Sequence, residues 1–333
     1  MKIYHKTLAD TTGSGYRRSI WPQEHLLERK SQVVFQHGMF ISEKFNKFMT
    51  GVIFHRMGTE EQFKLWKQIR KRKNLEIIYE IDDNAWEIPP SNERAYNFFV
   101  KKTLNNMKAM MKKSDKVILN SKFLCDYVRN VLDVDVPIEL VHNHLPDNVW
   151  EYYGPNMSFP DEKPRILFAT SYSYKPEIEW LFELIKRTKG KYTWIVTGEE
   201  YTKKIFNGKE KEYDIETPKF APPCKYQNML RRARPYIGVV PKLDNIFNKC
   251  RGSTKALEYT SLGIPAIGTK HDTWEEDTSV IKCPLDYDVW EAEIDKLISD
   301  KAYYIDTVKA QQLILNDRWL STGGIKEWEA ALL

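Results

Sequence analysis

The chain is poor in cysteine. Four occur in 333 residues, Cys125, Cys224, Cys250 and Cys283, and their spacing matches neither a zinc site nor a disulfide framework. A reducing cytoplasm is the simplest setting for such a chain. Long apolar runs are missing too. No stretch of 18 apolar residues occurs, so no transmembrane helix is expected. The opening Met1-Lys2-Ile3-Tyr4-His5 reads as a strand and not as a signal peptide. There is no internal repeat and no low-complexity segment. Neither sign of charge dominates: 51 Lys and Arg stand against 46 Asp and Glu, a net of +5. So mild an excess favours anionic ligands, such as a nucleotide diphosphate, nucleic acid or an acidic membrane face, without selecting among them.

What is present supports two domains of ordinary size, with 42% hydrophobic residues to build their cores. Strand-like runs recur along the chain: Ile3–Thr7, Val33-Val34-Phe35, Val52-Ile53-Phe54, Ile77–Ile81, Lys116–Leu119 and Ile138–Val141, then Arg165–Ala169, Tyr192–Val196, Tyr236–Val240, Ile264–Ile267 and a run near Ser279-Val280-Ile281. Helical patterns separate them, among them Glu60–Lys73, Ile178–Lys186, Tyr226–Arg234 and one long basic helix over Glu93–Lys113. This alternation predicts an α/β fold of two doubly wound, Rossmann-like parallel sheets facing a cleft. The Pro- and Gly-containing stretch Asp147–Lys163 is the linker candidate. The expected division is residues 1–146, a linker over 147–164, a second domain over 165–320, and a last helix over 321–333 that crosses back to the first domain.

Candidate site residues lie where strands end. After the first strand, Thr11-Thr12-Gly13-Ser14-Gly15-Tyr16-Arg17-Arg18 reads as a loop; Gly13 and Gly15 would let backbone approach a phosphate, with Arg17 and Arg18 nearby, and an ordinary turn is the plainer alternative. Asp82 and Asp83 close the strand Ile77–Ile81. They suit the orientation of acceptor hydroxyls or the role of a base; an acidic helix cap is the alternative, and their spacing is not that of a metal-binding Asp-x-Asp. His142 and His144 end the last strand of the first half, as site residues or as hydrogen-bonded structural histidines. In the second half, the hydroxyls of Thr170–Tyr174, Ser171 among them, and Lys175 could reach phosphates.

The strongest pattern is Asn248-Lys249-Cys250-Arg251-Gly252-Ser253-Thr254-Lys255-Ala256-Leu257-Glu258-Tyr259, running on to Leu262-Gly263-Ile264-Pro265. It reads as loop, helix, turn and strand. Ser253 and Thr254 suit an N-cap, Gly263 a C-cap, and Pro265 stops the helix. Arg251 and Lys255 flank a helix start, where phosphate binds. Glu258 follows Lys255 by one turn, either as a carboxylate for sugar or ribose hydroxyls or as half of an i,i+3 surface pair.

Together with Pro241-Lys242-Leu243-Asp244-Asn245 and Phe247-Asn248, this stretch resembles the donor-site signature of GT-B glycosyltransferases, most of all the retaining, family-4-like group. The resemblance is specific between Ile237 and Thr269 and loose elsewhere. It implies a nucleotide-diphosphate sugar as donor and no obligatory metal. It implies that Glu258 holds the ribose, that Arg251 and Lys255 face the diphosphate, and that Phe220-Ala221-Pro222-Pro223 edges the base; Asn248, Ser253 and Thr254 are further donor-binding candidates. The leaving diphosphate then accepts the acceptor's proton. Cys250 departs from the pattern, which has a second Glu there. The basic helix, with Lys101, Lys102, Lys108, Lys112 and Lys113, suggests three readings. The favoured acceptor is a hydroxylated base in DNA, as in phage-type DNA glycosyltransferases. A cell-surface or lipid-linked glycan at an anionic membrane is the alternative. A catalytically inactive nucleotide- or DNA-binding protein is the third.

Overall fold

The computed structural model describes residues 1–8, 10, 13–38, 48–155, 163–270 and 280–333. Thr11, Thr12 and Ser279, named above, and residues 156–162 of the linker candidate lie outside the described residues. The chain forms two compact units. The first holds Met1–Pro146, Lys249–Gly252 and Arg318–Leu333; the second holds Asp147–Asn248 and Ser253–Asp317.

The first unit is built on six parallel strands: β1 (Lys2–Thr7), β2 (Val33–Gly38), β3 (Gly51–His55), β4 (Glu76–Ile81), β5 (Lys116–Leu119) and β6 (Ile138–Leu140), in the order β2-β1-β3-β4-β5-β6. The second unit has β7 (Arg165–Phe168), β8 (Thr193–Val196), β9 (Ile215–Glu216), β10 (Ile237–Val240), β11 (Ala266–Thr269) and β12 (Ile281–Cys283), also all parallel, in the order β12-β11-β10-β7-β8-β9. These are two doubly wound sheets. Parallel sheets carry helices on both faces, so central strands such as β3 and β10 are buried at every residue.

Local sequence explains most elements. The helix Glu60–Arg70 starts with a capping box in which Thr59 and Gln62 exchange bonds. The helix Thr254–Ser261 ends as predicted: Gly263 takes φ +73°, and a Cβ there would collide with the Gly154 carbonyl.

Two expectations fail here. Gly13–Gly15 is not a loop; it is the first turn of a helix that widens to a π-helix over Tyr16–Ile20 and continues as Trp21–Glu28. The Glu93–Lys113 helix is two helices, Glu93–Phe98 and Lys101–Lys112, parted at Phe99 and Val100. Val100 is extended and starts the second helix. The methionines Met107, Met110 and Met111 are wholly buried, so they are core and not a membrane-inserting face.

Candidate functional site

In the first unit, charged residues collect at the carboxyl ends of β1, β3 and β4. Deepest is a triad. Lys6 and Arg18 both pair with Glu80, Arg18 Nε at 2.7 Å, and all three side chains are enclosed. Arg18 Nη1 also donates to the carbonyls of Val141 (2.6 Å) and His142 (3.1 Å). The Trp328 ring covers both cations, 4.1 Å from Lys6 Nζ and 5.0 Å from Arg18 Cζ. Burial pushes the Lys6 ammonium down to about 8, against the pull of Glu80. Arg18 is therefore not a cation at the mouth of a site; it welds the π-helix to the sheet.

Nearer the surface, Asp82 accepts from Ser14 Oγ at 2.5 Å and lies 3.4 Å from His55 Nε2 and 3.5 Å from Arg56 Nη1. Arg56 also reaches Asp83 at 3.5 Å, and its backbone is left-handed, with φ +55°. A non-glycine residue held there is strained. The two neighbouring carboxyls titrate apart. Burial raises the Asp82 pKa, but Arg56, His55 and the Ser14 hydroxyl outweigh it and hold the group well below the usual range. Burial drives Asp83 above that range, aided by the Asp82 charge and opposed by Arg56 and Arg251. Of the two, Asp83 is the more open, with about one-third of its side chain exposed. Among the described residues, no group of three His, Cys, Asp or Glu is placed to hold a metal ion.

Arg251 belongs to this unit, as a charge felt by Asp83. Cys250 is buried beside it. Asn84 Nδ2 donates to its Sγ at 3.2 Å, Ser121 Oγ donates to its carbonyl at 2.8 Å, and burial pushes the thiol up to about 12. It is a packing residue with an inert thiol. His142 and Glu327 join at 2.9 Å, and enclosed His144 is pushed down to about 3, chiefly by burial.

In the second unit the strand order reverses between β7 and β10, the topological position where doubly wound sheets bind ligands. Beyond β7, Ser171 is exposed, with its hydroxyl 3.1 Å from that of Ser173, and Lys175 opens the helix Lys175–Arg187. Beyond β10, Asn248 Nδ2 donates to Glu177 (2.7 Å) and to the Leu243 carbonyl (2.9 Å). Asn248 is thus a buried brace rather than a phosphate ligand. The helix Thr254–Ser261 is locked to this switch point by Tyr259, whose hydroxyl accepts from the Ala169 amide at 2.7 Å and donates to the Val239 carbonyl at 3.3 Å. Gly238 makes room for it: a Cβ there would lie 2.1 Å from the Tyr259 ring.

Ser253 is the N-cap of that helix, but its side chain makes no capping bond. Ser253 and Thr254 are both buried. Lys255 Nζ meets Glu258 Oε2 at 2.9 Å and the Tyr226 hydroxyl at 3.2 Å. Glu258 is fully enclosed and Lys255 nearly so, so this is neither a surface pair nor an open carboxylate. Sequence reasoning missed Lys6, His55, Arg56 and Glu80. A charge inside the apolar run Ile77-Ile78-Tyr79-Glu80-Ile81 was the available signal, because a buried carboxylate requires a cation.

No protein-family model matches the sequence, and no curated protein matches it by sequence. Solved structures do match. Sucrose-phosphate synthase from Thermosynechococcus elongatus superposes with a TM-score of 0.70 at 12% identity, over 96% of this chain and 95% of that one. Anabaena HepE, solved in complex with UDP and glucose, gives 0.65 at 10% identity, over 100% and 99%. The lipopolysaccharide outer core galactosyltransferase WaaB gives 0.57 at 13%, over 99% of each chain. The fold is the GT-B fold of these glycosyltransferases.

Proposed function

We propose that the chain is a glycosyltransferase that takes its sugar from a nucleoside-diphosphate donor. The observation that carries this reading is the second unit's switch point. Ser171 and Lys175 stand beyond β7, and the helix bearing Lys255 and Glu258 is fixed beside it through Tyr259. HepE, of the same fold, is solved with UDP and glucose. Lys175 and Lys255 supply positive charge for the diphosphate, where it also stabilises the leaving group. Glu258 takes the ribose hydroxyls once Lys255 turns from it to phosphate.

In the first unit, Asp83 contacts the acceptor hydroxyl. Its raised pKa suits a group that holds or receives a proton, and ionised Asp82 and Arg56 keep it in place. The acceptor we favour is a glycan hydroxyl, free or lipid-linked. The DNA reading rested on a row of lysines, of which Lys102 pairs with Glu60 and Lys112 with Asp133. Retention of anomeric configuration is part of the proposal.

The test is a panel of nucleoside diphosphates and their sugars, read by thermal shift and by release of free sugar from the donor. Stabilisation by at least one nucleoside diphosphate, with slow donor hydrolysis, is expected. Absence of both for every nucleotide overturns the reading. NMR of the product's anomeric proton reads the stereochemistry.

A further inference from the structure

The break between the helices Glu93–Phe98 and Lys101–Lys112 leaves an unusual surface. Tyr96, Phe98 and Val100 are each about half exposed, three large apolar side chains within five residues. Solvent-facing apolar clusters of this kind mark binding surfaces. A pocket of about 540 Å³ opens at the same place, walled mostly by apolar groups that include Trp86, Ile88, Phe99 and Leu104. Its size is that of a ligand site. Charge is the third observation. Residues 93–113 hold six Lys and Arg against one Glu, a net of +5, and the whole chain is also +5, so the other residues sum to zero. Lys101, exposed beside Val100, has no ion pair among the described residues.

We propose that this helix break is the edge by which the first unit docks on an anionic lipid bilayer. Phe98, Val100 and Tyr96 enter the headgroup boundary, Lys101 meets lipid phosphate, and the pocket behind them takes an apolar chain. Apolar side chains beside a strongly basic stretch, six Lys and Arg to one Glu, are the composition of an interfacial anchor. Duplex DNA would use the lysines alone and leave the aromatic tip in water. The pocket wall includes Ala85, two residues along the chain from Asp83; the docking itself does not rest on the proposed function.

The experiment is flotation of the full chain with vesicles of phosphatidylglycerol and phosphatidylcholine, against pure phosphatidylcholine, with duplex DNA as competitor. The wild type is expected to float with the anionic vesicles only. Phe98→Ser with Val100→Ser should weaken that binding roughly ten-fold or more, because two apolar side chains no longer leave water, and Lys101→Gln should weaken it less. All three positions are exposed, so melting should not change. A Phe98→Trp variant supplies a direct signal: its emission should shift to the blue with anionic vesicles. No flotation, no blue shift, or binding that survives the Ser variant and is removed by DNA would overturn the inference, the last pointing to nucleic acid. Nucleoside-diphosphate binding is measured on the same samples. Its loss with flotation intact would sink the donor reading and leave the lipid surface standing.

Discussion

The two sheets of this chain gather polar groups at their strand ends in opposite ways. In the first unit the charges are many and closed on one another: Lys6 and Arg18 on Glu80, Arg56 on Asp82 and Asp83. In the second unit, among the described residues, buried Lys242 and Glu177 lie near the strand ends without a closed network like the first unit's. Lys255 and Glu258 form one enclosed pair, Ser171 is exposed, and Lys175 has no ion pair among the described residues. The first arrangement holds its own geometry without a ligand. The second leaves positive charge to be met by an anion from solution. The closed network of the first unit is read as scaffold, and Lys175, with no ion pair among the described residues, as a charge left for a diphosphate.

Breaking the triad is the harshest test of that contrast. Glu80→Gln strands two buried cations, and a loss of about 3–5 kcal/mol in unfolding free energy is expected from denaturant titration. A loss below about 1 kcal/mol would mean the triad is not structural. Next is Asp83→Asn, which should lower kcat about 10²–10⁴-fold while leaving donor binding unchanged. If Asp83 works as a base, the rate should rise with pH through a midpoint above the ordinary Asp value. Arg56→Gln, which removes the opposing cation, should move that midpoint higher still. In the second unit, Lys255→Met should weaken nucleoside-diphosphate binding by about 1.5–3 kcal/mol, by calorimetry. It should also lower stability, because Glu258 keeps a buried charge without its partner. Equal donor affinity in wild type and variant would remove Lys255 from the site.

The last effect is absent at neutral pH and emerges only on acidification. His144 titrates low in the folded chain, at about 3, so folding favours its neutral form. Its contribution is complete above the unfolded value of about 6.5 and declines as pH falls from there toward 3, by at most about 1.4 kcal/mol per pH unit. His144→Gln should flatten the melting-temperature profile across that window. An unchanged profile would place the titration elsewhere.

Much of the fold was legible because parallel strands are short β-branched runs between helical patterns, and such runs are read locally. The donor-side helix was legible for the same reason: Gly263 and Pro265 end it by local chemistry. What failed was non-local. Gly-Ser-Gly looks like a loop until Arg18, three residues on, is drawn inward by Glu80, 62 residues away. The basic helix reads as continuous because nothing at Phe99-Val100 forbids a helix; packing sets the break. Asn248 looked like a phosphate ligand since its partner, Glu177, lies 71 residues earlier. Glu258 sat at the expected position, but no sequence shows that a carboxylate is enclosed.

The division of the chain also bears on biosynthesis. The first unit includes Lys249–Gly252 and Arg318–Leu333. Trp328, which roofs Lys6 and Arg18, and Cys250, which packs on Asn84, arrive long after the strands they complete. On the ribosome, the portion synthesised first is therefore the portion finished last. Its buried cations wait for their aromatic cover until residues of the second unit have emerged. A fragment ending at Pro146 would keep all six strands of its sheet and still lack that cover, so proteolytic separation at this boundary should release an unstable piece rather than a free-standing domain.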